Sequence, residues 1–270
     1  ETVARLTNQE FVQKIALDRS QHPEVRHAAV VAIESDAVFA AVIGEKKPYY
    51  IKSADVWQWL SIRVKAMKDQ EALKRLAWSA EPPSIQIFAA EALVDQPILA
   101  DLVHRHPEKR VREAAVKRLT DQGLLLAIAL NHPEEVIRAD AARRLEDQAA
   151  LAKLFATELT EGIRSAAVGN VTDPDLLRKL SRDPSEGVRA KAAKNLRDEA
   201  ELVRLVDEDL PQVALAAAEN VSNQEILLRW AKSHPDSKVR WSAIQRRGEG
   251  VETEPLVAAA LDVCHDFNVA

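Results

Sequence analysis

Cysteine is nearly missing from this chain: one occurs in 270 residues, Cys264. A single thiol excludes a disulfide framework within the chain and suits a reducing, cytoplasmic compartment. Glycine is scarce at seven, and none clusters as a phosphate-cradling loop requires. Aromatics make up only 4%, which leaves Ala and Leu to fill the core. The longest apolar runs, 37–43 and 124–130, hold seven residues each, far below the ~18 that suggest a membrane span. Cationic excess is absent too. The net charge is −5, whereas general nucleic-acid binding carries a basic footprint. No signal-peptide pattern opens the sequence, which starts at Glu1 rather than Met and so leaves open whether residues precede it.

What is present is order along the chain, clearest in 111–133, VREAAVKRLTDQGLLLAIALNHP. Val111, Ala115 and Leu119 are spaced i, i+4, i+8 and share one helix face. Asp121 interrupts, and its short carboxylate suits the N-cap of a second helix. Leu125 and Ile128 give that helix a buried face of its own. Pro133 closes it, because proline disfavours helical geometry in the residue before it. Neither helix is long enough to stand alone in water.

The same pattern recurs. Anchors equivalent to Val111 are Val25, Trp59, Ile85, Ile137, Ile163, Val188, Val213 and Val239, at steps of 34 and then 25 or 26 residues. Four residues past the anchor stands Ala, as in Ala89, Ala115, Ala141 and Ala167, with Arg63 the exception. Eight past it stands an apolar residue, until Arg247 breaks the column. Ten past it stands a cap: Ser35, Asp69, Asp95, Asp121, Asp147, Asp173, Asp198 and Asn223. Fourteen past it stands Leu, or Phe39 in the first unit. Constant-length units of this kind stack so that each buries its neighbour's apolar face.

The copies 111–115, 163–167 and 188–193, with Val/Ile-Arg followed by paired alanines, resemble the HEAT-like and leucine-rich-repeat-variant families of short helical repeats. The resemblance covers nearly the whole chain. It implies an all-α, right-handed α-solenoid (superhelix) of short HEAT-like helix-pair repeats, about nine pairs of roughly 25 residues. It also implies a non-catalytic protein–protein interaction scaffold. The leucine-rich variant can carry an N-terminal iron–sulfur segment with several cysteines. Cys264 stands alone at the other end, so no cofactor is carried over. Some DNA glycosylases and bilin lyases are built from HEAT-like units, which supplies two alternatives: a nucleic-acid-binding or DNA-repair solenoid, and a lyase-type enzyme.

The chain reads as one solenoid domain, 1–270. Residues 1–24 form a partial, capping unit and 25–247 the array. Residues 248–270 hold a closing helix that starts near Leu256 after Thr253 and Pro255. The first step is about eight residues too long, and the excess falls near 44–52. Lys46, Lys47, Tyr49 and Tyr50 lie there, and Trp57 and Trp59 follow. Insertions in solenoids map to loops on one face. This one reads either as a plug for an irregular unit or as a recognition loop with aromatic anchors.

Two basic columns carry the remaining site candidates. The residue after the anchor is Arg in six of nine units: Arg26, Arg112, Arg138, Arg164, Arg189 and Arg240. Each has donors for a neighbouring cap, Asp121, Asp147, Asp173 or Asp198, or for a helix-end carbonyl. The other reading is a phosphate-binding ridge. Sixteen past the anchor stand Arg75, Lys153, Lys179, Arg204 and Arg229, which Arg178 and Lys232 can extend. In HEAT-like solenoids the second helices line the concave surface. This column is therefore either a solvated face or a patch for an acidic partner, protein or, less favoured, nucleic acid. His22, His106, His132 and His234 precede prolines at unit junctions and read as turn residues. Junctions a helix spacing apart, ~8–10 Å, cannot share a metal bound at about 2 Å. Cys264 and His265 lack a third ligand. Asp55 beside Trp57 and Trp59 is the one stretch that faintly suits a glycosylase cleft. No catalytic residue and no metal site is expected.

Overall fold

The computed structural model describes residues 8–18, 20–44, 54–79, 82–157 and 159–247. Within them the chain is all-α, with no strand. Eight helix pairs follow one another. They are α2 (Pro23–Val31) with α3 (Asp36–Ile43), α4 (Ala54–Lys65) with α5 (Gln70–Ser79), α6 (Pro83–Ala92) with α7 (Gln96–Arg105), α8 (Lys109–Val116) with α9 (Gln122–Asn131), α10 (Glu135–Arg143) with α11 (Gln148–Phe155), α12 (Glu161–Ala167) with α13 (Pro174–Leu180), α14 (Glu186–Asn195) with α15 (Glu199–Glu208), and α16 (Pro211–Ala218) with α17 (Gln224–Ser233). α1 (Gln9–Leu17) precedes them as a lone second helix, and α18 (Ser237–Arg247) follows as a lone first helix. This is the tandem helix-pair architecture of an α-solenoid. The expected insertion loop, with Lys46, Lys47, Tyr49 and Tyr50, lies outside the described residues, as do the side chain of Trp57 and the expected closing helix.

The columns do what their chemistry dictates. Ala89, Ala115, Ala141, Ala167, Ala192 and Ala217 are fully buried, and their small side chains suit close packing of one first helix on the next. α4 packs on α6 and α6 on α8; α14 packs on α16 and α16 on α18. The Leu column, from Leu73 to Leu227, is likewise buried. The apolar residue eight past the anchor sits in the extended link between helices, as at Leu93 and Leu196, and is buried there too. Each cap then starts the second helix. Asp121 accepts from the Leu124 N–H at 2.9 Å, Asp147 from Ala150 at 2.7 Å, Asp173 from Leu176 at 2.8 Å and Asp198 from Glu201 at 3.2 Å. Removing such a cap costs ~1 kcal/mol.

The contacts divide the chain into two compact units, Glu1–Ala141 and Ala142–Ala270, where the sequence reads as one domain. Three hydrogen-bonding columns stitch neighbours together in both. Seven past the anchor, Asn or Arg donates to carbonyls that end the previous first helix: Arg118 to Leu93, Asn170 to Arg143 and Leu145, Asn220 to Ala193 and Lys194. Eleven past it, an amide or carboxylate oxygen accepts the two N–H groups that precede the next second helix. Gln96 does so for Thr120 and Asp121, Gln148 for Thr172 and Asp173, and Glu199 for Ser222 and Asn223. Five before it, at three junctions, stands histidine. The Glu134 N–H donates to His132 Nδ1 at 3.1 Å, which leaves the proton on Nε2 to donate to the Val103 carbonyl at 3.1 Å. His106 and His234 repeat both bonds, to the carbonyls of Ala77 and Val206. These rings are staples between consecutive second helices, which is more than a turn residue does. His22 lies three residues before its anchor, is exposed, and among the described residues does no more than accept from the Glu24 N–H.

Candidate binding groove

The arginine after the anchor folds back on the junction before it. Arg112 Nη1 donates to the carbonyls of His106 and Pro107 at 2.6 and 2.8 Å; Arg138 does the same to His132 and Pro133, Arg189 to Asp183 and Pro184, and Arg240 to His234 and Pro235. The opposite edge of the fork meets a carboxylate at a junction, not a cap. Arg112 pairs with Glu134, Arg164 with Asp183 at 2.7 and 3.0 Å, and Arg189 with Asp209 at 2.8 Å on both arms. The carbonyl half of the expected ladder is therefore present. Its carboxylate half is displaced from Asp121, Asp147, Asp173 and Asp198, because those oxygens already cap their own helices. Asp198 also takes an arginine, Arg178, which belongs to a second helix. Four donors committed this way leave little for a phosphate ridge.

The second basic column is spread over both units and is partly neutralised. Arg75 is exposed on α5 in the first unit. Arg204 is held by Glu201 at 2.6 Å, with Glu208 at 4.0 Å, and Arg229 by Asp207 at 2.8 Å. Lys153 and Lys179 are exposed and, among the described residues, make no ion pair.

Lys179 lines a groove of about 600 Å³ inside the second unit. Phe155 at the end of α11, Leu176 and Leu180 on α13, and Pro184 give it apolar walls; Arg164, Arg178, Lys179 and Arg182 bring cations, with Asp175 and Asp183 among them. Arg178 is held between Asp175 and Asp198, both at 2.9 Å, and Arg182 by Glu201 at 3.1 Å. The hydrogen bond from Arg178 keeps the Asp198 carboxyl below its usual range.

Beneath the groove the repeat breaks its own rules. Thirteen past the anchor the second helix of every other pair carries Val, Ala, Ile or Leu, but α15 carries Glu201. Eighteen past it every other full unit carries Ile, Ala, Val or Phe, but the unit of α13 carries Ser181. Both intruders are buried, and they find each other: the Ser181 hydroxyl donates to Glu201 Oε1 at 2.6 Å. Burial alone would raise the Glu201 pKa. The hydrogen bonds from Arg204, Arg182 and Ser181 outweigh it and hold the carboxyl at about 2. Phe155 is the sole aromatic in the same column as Ser181. These departures were open to inspection in the sequence, because a lone charge in an apolar column must be paired.

A second, smaller hollow of about 260 Å³ lies in the first unit against Glu91 on α6, Arg110 and Glu113 on α8, and Lys117 just past its end. Near the insertion, Trp59 packs edge-on to Phe39 and His27, with ring centres 5.9 and 5.8 Å away. Among the described residues no three His, Cys, Asp or Glu side chains lie close enough to hold one metal ion. No described helix is long and apolar enough to cross a membrane. No protein-family model matches the chain, and no curated protein matches it either.

Proposed function

We propose that this chain is a non-catalytic interaction scaffold, HEAT-like in kind, that binds an acidic protein segment on the second helices of its second unit. One observation carries this reading. Lys153 on α11 and Lys179 on α13 stand exposed and, among the described residues, without ion pairs; Lys179 lines a groove with apolar walls whose arginines are pinned by carboxylates. Pinned arginines are ordered and already neutralised; the lysines remain to attract and register an anion. The insertion near 44–52 is a second contact surface on this reading. A cytoplasmic setting belongs to it too, supported by the single cysteine. The nucleic-acid alternative draws less support, because neutralised arginines release few counterions when they meet phosphate.

The test is a charge reversal. Lys153→Glu with Lys179→Glu should weaken a partner recovered by affinity capture and re-tested in purified form by about tenfold, mostly through slower association. Raising salt should weaken the parent complex in the same direction. A purified partner that binds the double variant as tightly as the parent sinks this surface as the binding site.

A further inference from the structure

We propose that the groove at α11–α13 is a receptor for a short peptide pairing one carboxylate with one bulky aliphatic side chain. This deepens the scaffold reading and rests on it only in taking the ligand to be a peptide. The argument begins with size. About 600 Å³ lies within the usual ~300–1,000 Å³ of small-ligand sites and holds a few side chains rather than a helix.

Charge comes next. The four lining cations are matched by four carboxylates on them or beside them, Asp175, Asp183, Asp198 and Glu201. Arg204 shares Glu201 as a fifth cation, so the surplus is one positive charge, which suits a single carboxylate and not a phosphate dianion or a nucleic-acid backbone. Lys179 is the lining cation without an ion pair among the described residues, and Arg182 presents its exposed side chain beside it, anchored from behind by Glu201. One carboxylate satisfies that pair. Phe155, Leu176 and Pro184 lie within side-chain reach in the same groove and can strip water from one aliphatic group. The three breaks in the repeat, Phe155, Ser181 and Glu201, all serve this place. Two of them position Arg182, and rules broken locally at a small cost in stability mark sites under another constraint.

The experiment uses the full chain, labelled with ¹⁵N, and the blocked heptapeptide Gly-Ser-Glu-Leu-Glu-Ser-Gly. Amide shifts should move on α13 and at 155, 164 and 181–184, and not on α6 or α8. Replacing both Glu by Gln in the peptide, or Leu by Ala, should weaken binding roughly three- to tenfold each. Lys179→Gln should do the same as the Gln peptide, while Lys179→Arg should keep most of the affinity; the position is exposed, so folding is not at risk. Shifts elsewhere or none, equal binding of the Gln peptide, or equal shifts from sodium phosphate alone would each overturn the assignment. If the groove is silent but the charge reversal still releases a purified partner, the scaffold reading stands and this one falls. If the groove responds and the purified partner ignores the reversal, the outcome is the opposite.

Discussion

Glu201 shows how one side chain can be both a liability and a lock. It stands third in α15, the position where a capping box places Glu, yet it turns away from its own helix end to Ser181, Arg182 and Arg204. Glu201→Gln keeps the shape and removes the charge. Two guanidinium groups then face a neutral amide, and the loss should be on the order of 2 kcal/mol in urea unfolding at neutral pH. The pH dependence has a definite sign. The folded carboxyl titrates near 2 against 4.5 for an ordinary Glu. Its contribution is therefore complete above about pH 4.5 and disappears as pH falls toward 2. The gap between parent and Glu201→Gln should narrow across that window; a gap still undiminished near pH 2.5 would show that the charge is not what matters. Glu201 was legible in principle as a break in a column. What was not legible was its partner, since Ser181 sits in a different column of a different unit and nothing in the spacing says that the two breaks face each other.

Between elements, the repeat relies on polar staples more than its apolar pattern suggests. The alternation of buried Ala and Leu could be read directly, as could the cap aspartates, because helix period and capping chemistry are local. The staples could not. That His132 precedes a proline says only that a helix ends there. Its ring reaches a carbonyl 29 residues back, and that depends on how second helices stack. His132→Leu should therefore cost about 1–3 kcal/mol, since it leaves the Val103 carbonyl and the Glu134 N–H without their buried partner. His22→Leu, at an exposed junction with no such reach, should stay within roughly 0.5 kcal/mol. Urea denaturation of the two variants side by side decides it. Equal effects would reduce the histidines to the turn residues that the sequence alone suggests. The same logic explains the displaced ladder: the arginines find junction carboxylates such as Asp209 because the cap carboxylates are already spent on N–H groups one helix turn ahead.

For the molecule as a whole, the period of 25 or 26 residues predicts the number of units but not their grouping. The columns run unchanged through Ala141 and Leu145, so nothing in them marks the division of contacts at 141–142. Inside each group, neighbouring units hydrogen-bond through members of these three columns, with histidine at three junctions. Stability should then be nearly a sum over neighbours, and a whole unit should be dispensable where half a unit is not. Excising 213–238 removes one period of 26 residues and joins Gln212 to Val239, so that an anchor again follows Pro211. Helicity per residue by circular dichroism should be unchanged. The urea m-value should fall by roughly a tenth, in proportion to the surface no longer exposed on unfolding. The heptapeptide response at Lys179 should persist, because α11–α13 keep their neighbours. Excising 213–225 removes α16 and leaves α17 without its first helix, placing two second helices in succession. Per-residue helicity should then drop and unfolding should lose cooperativity. If the two excisions behave alike, the units are not interchangeable modules, and the fold is held by something other than the three columns.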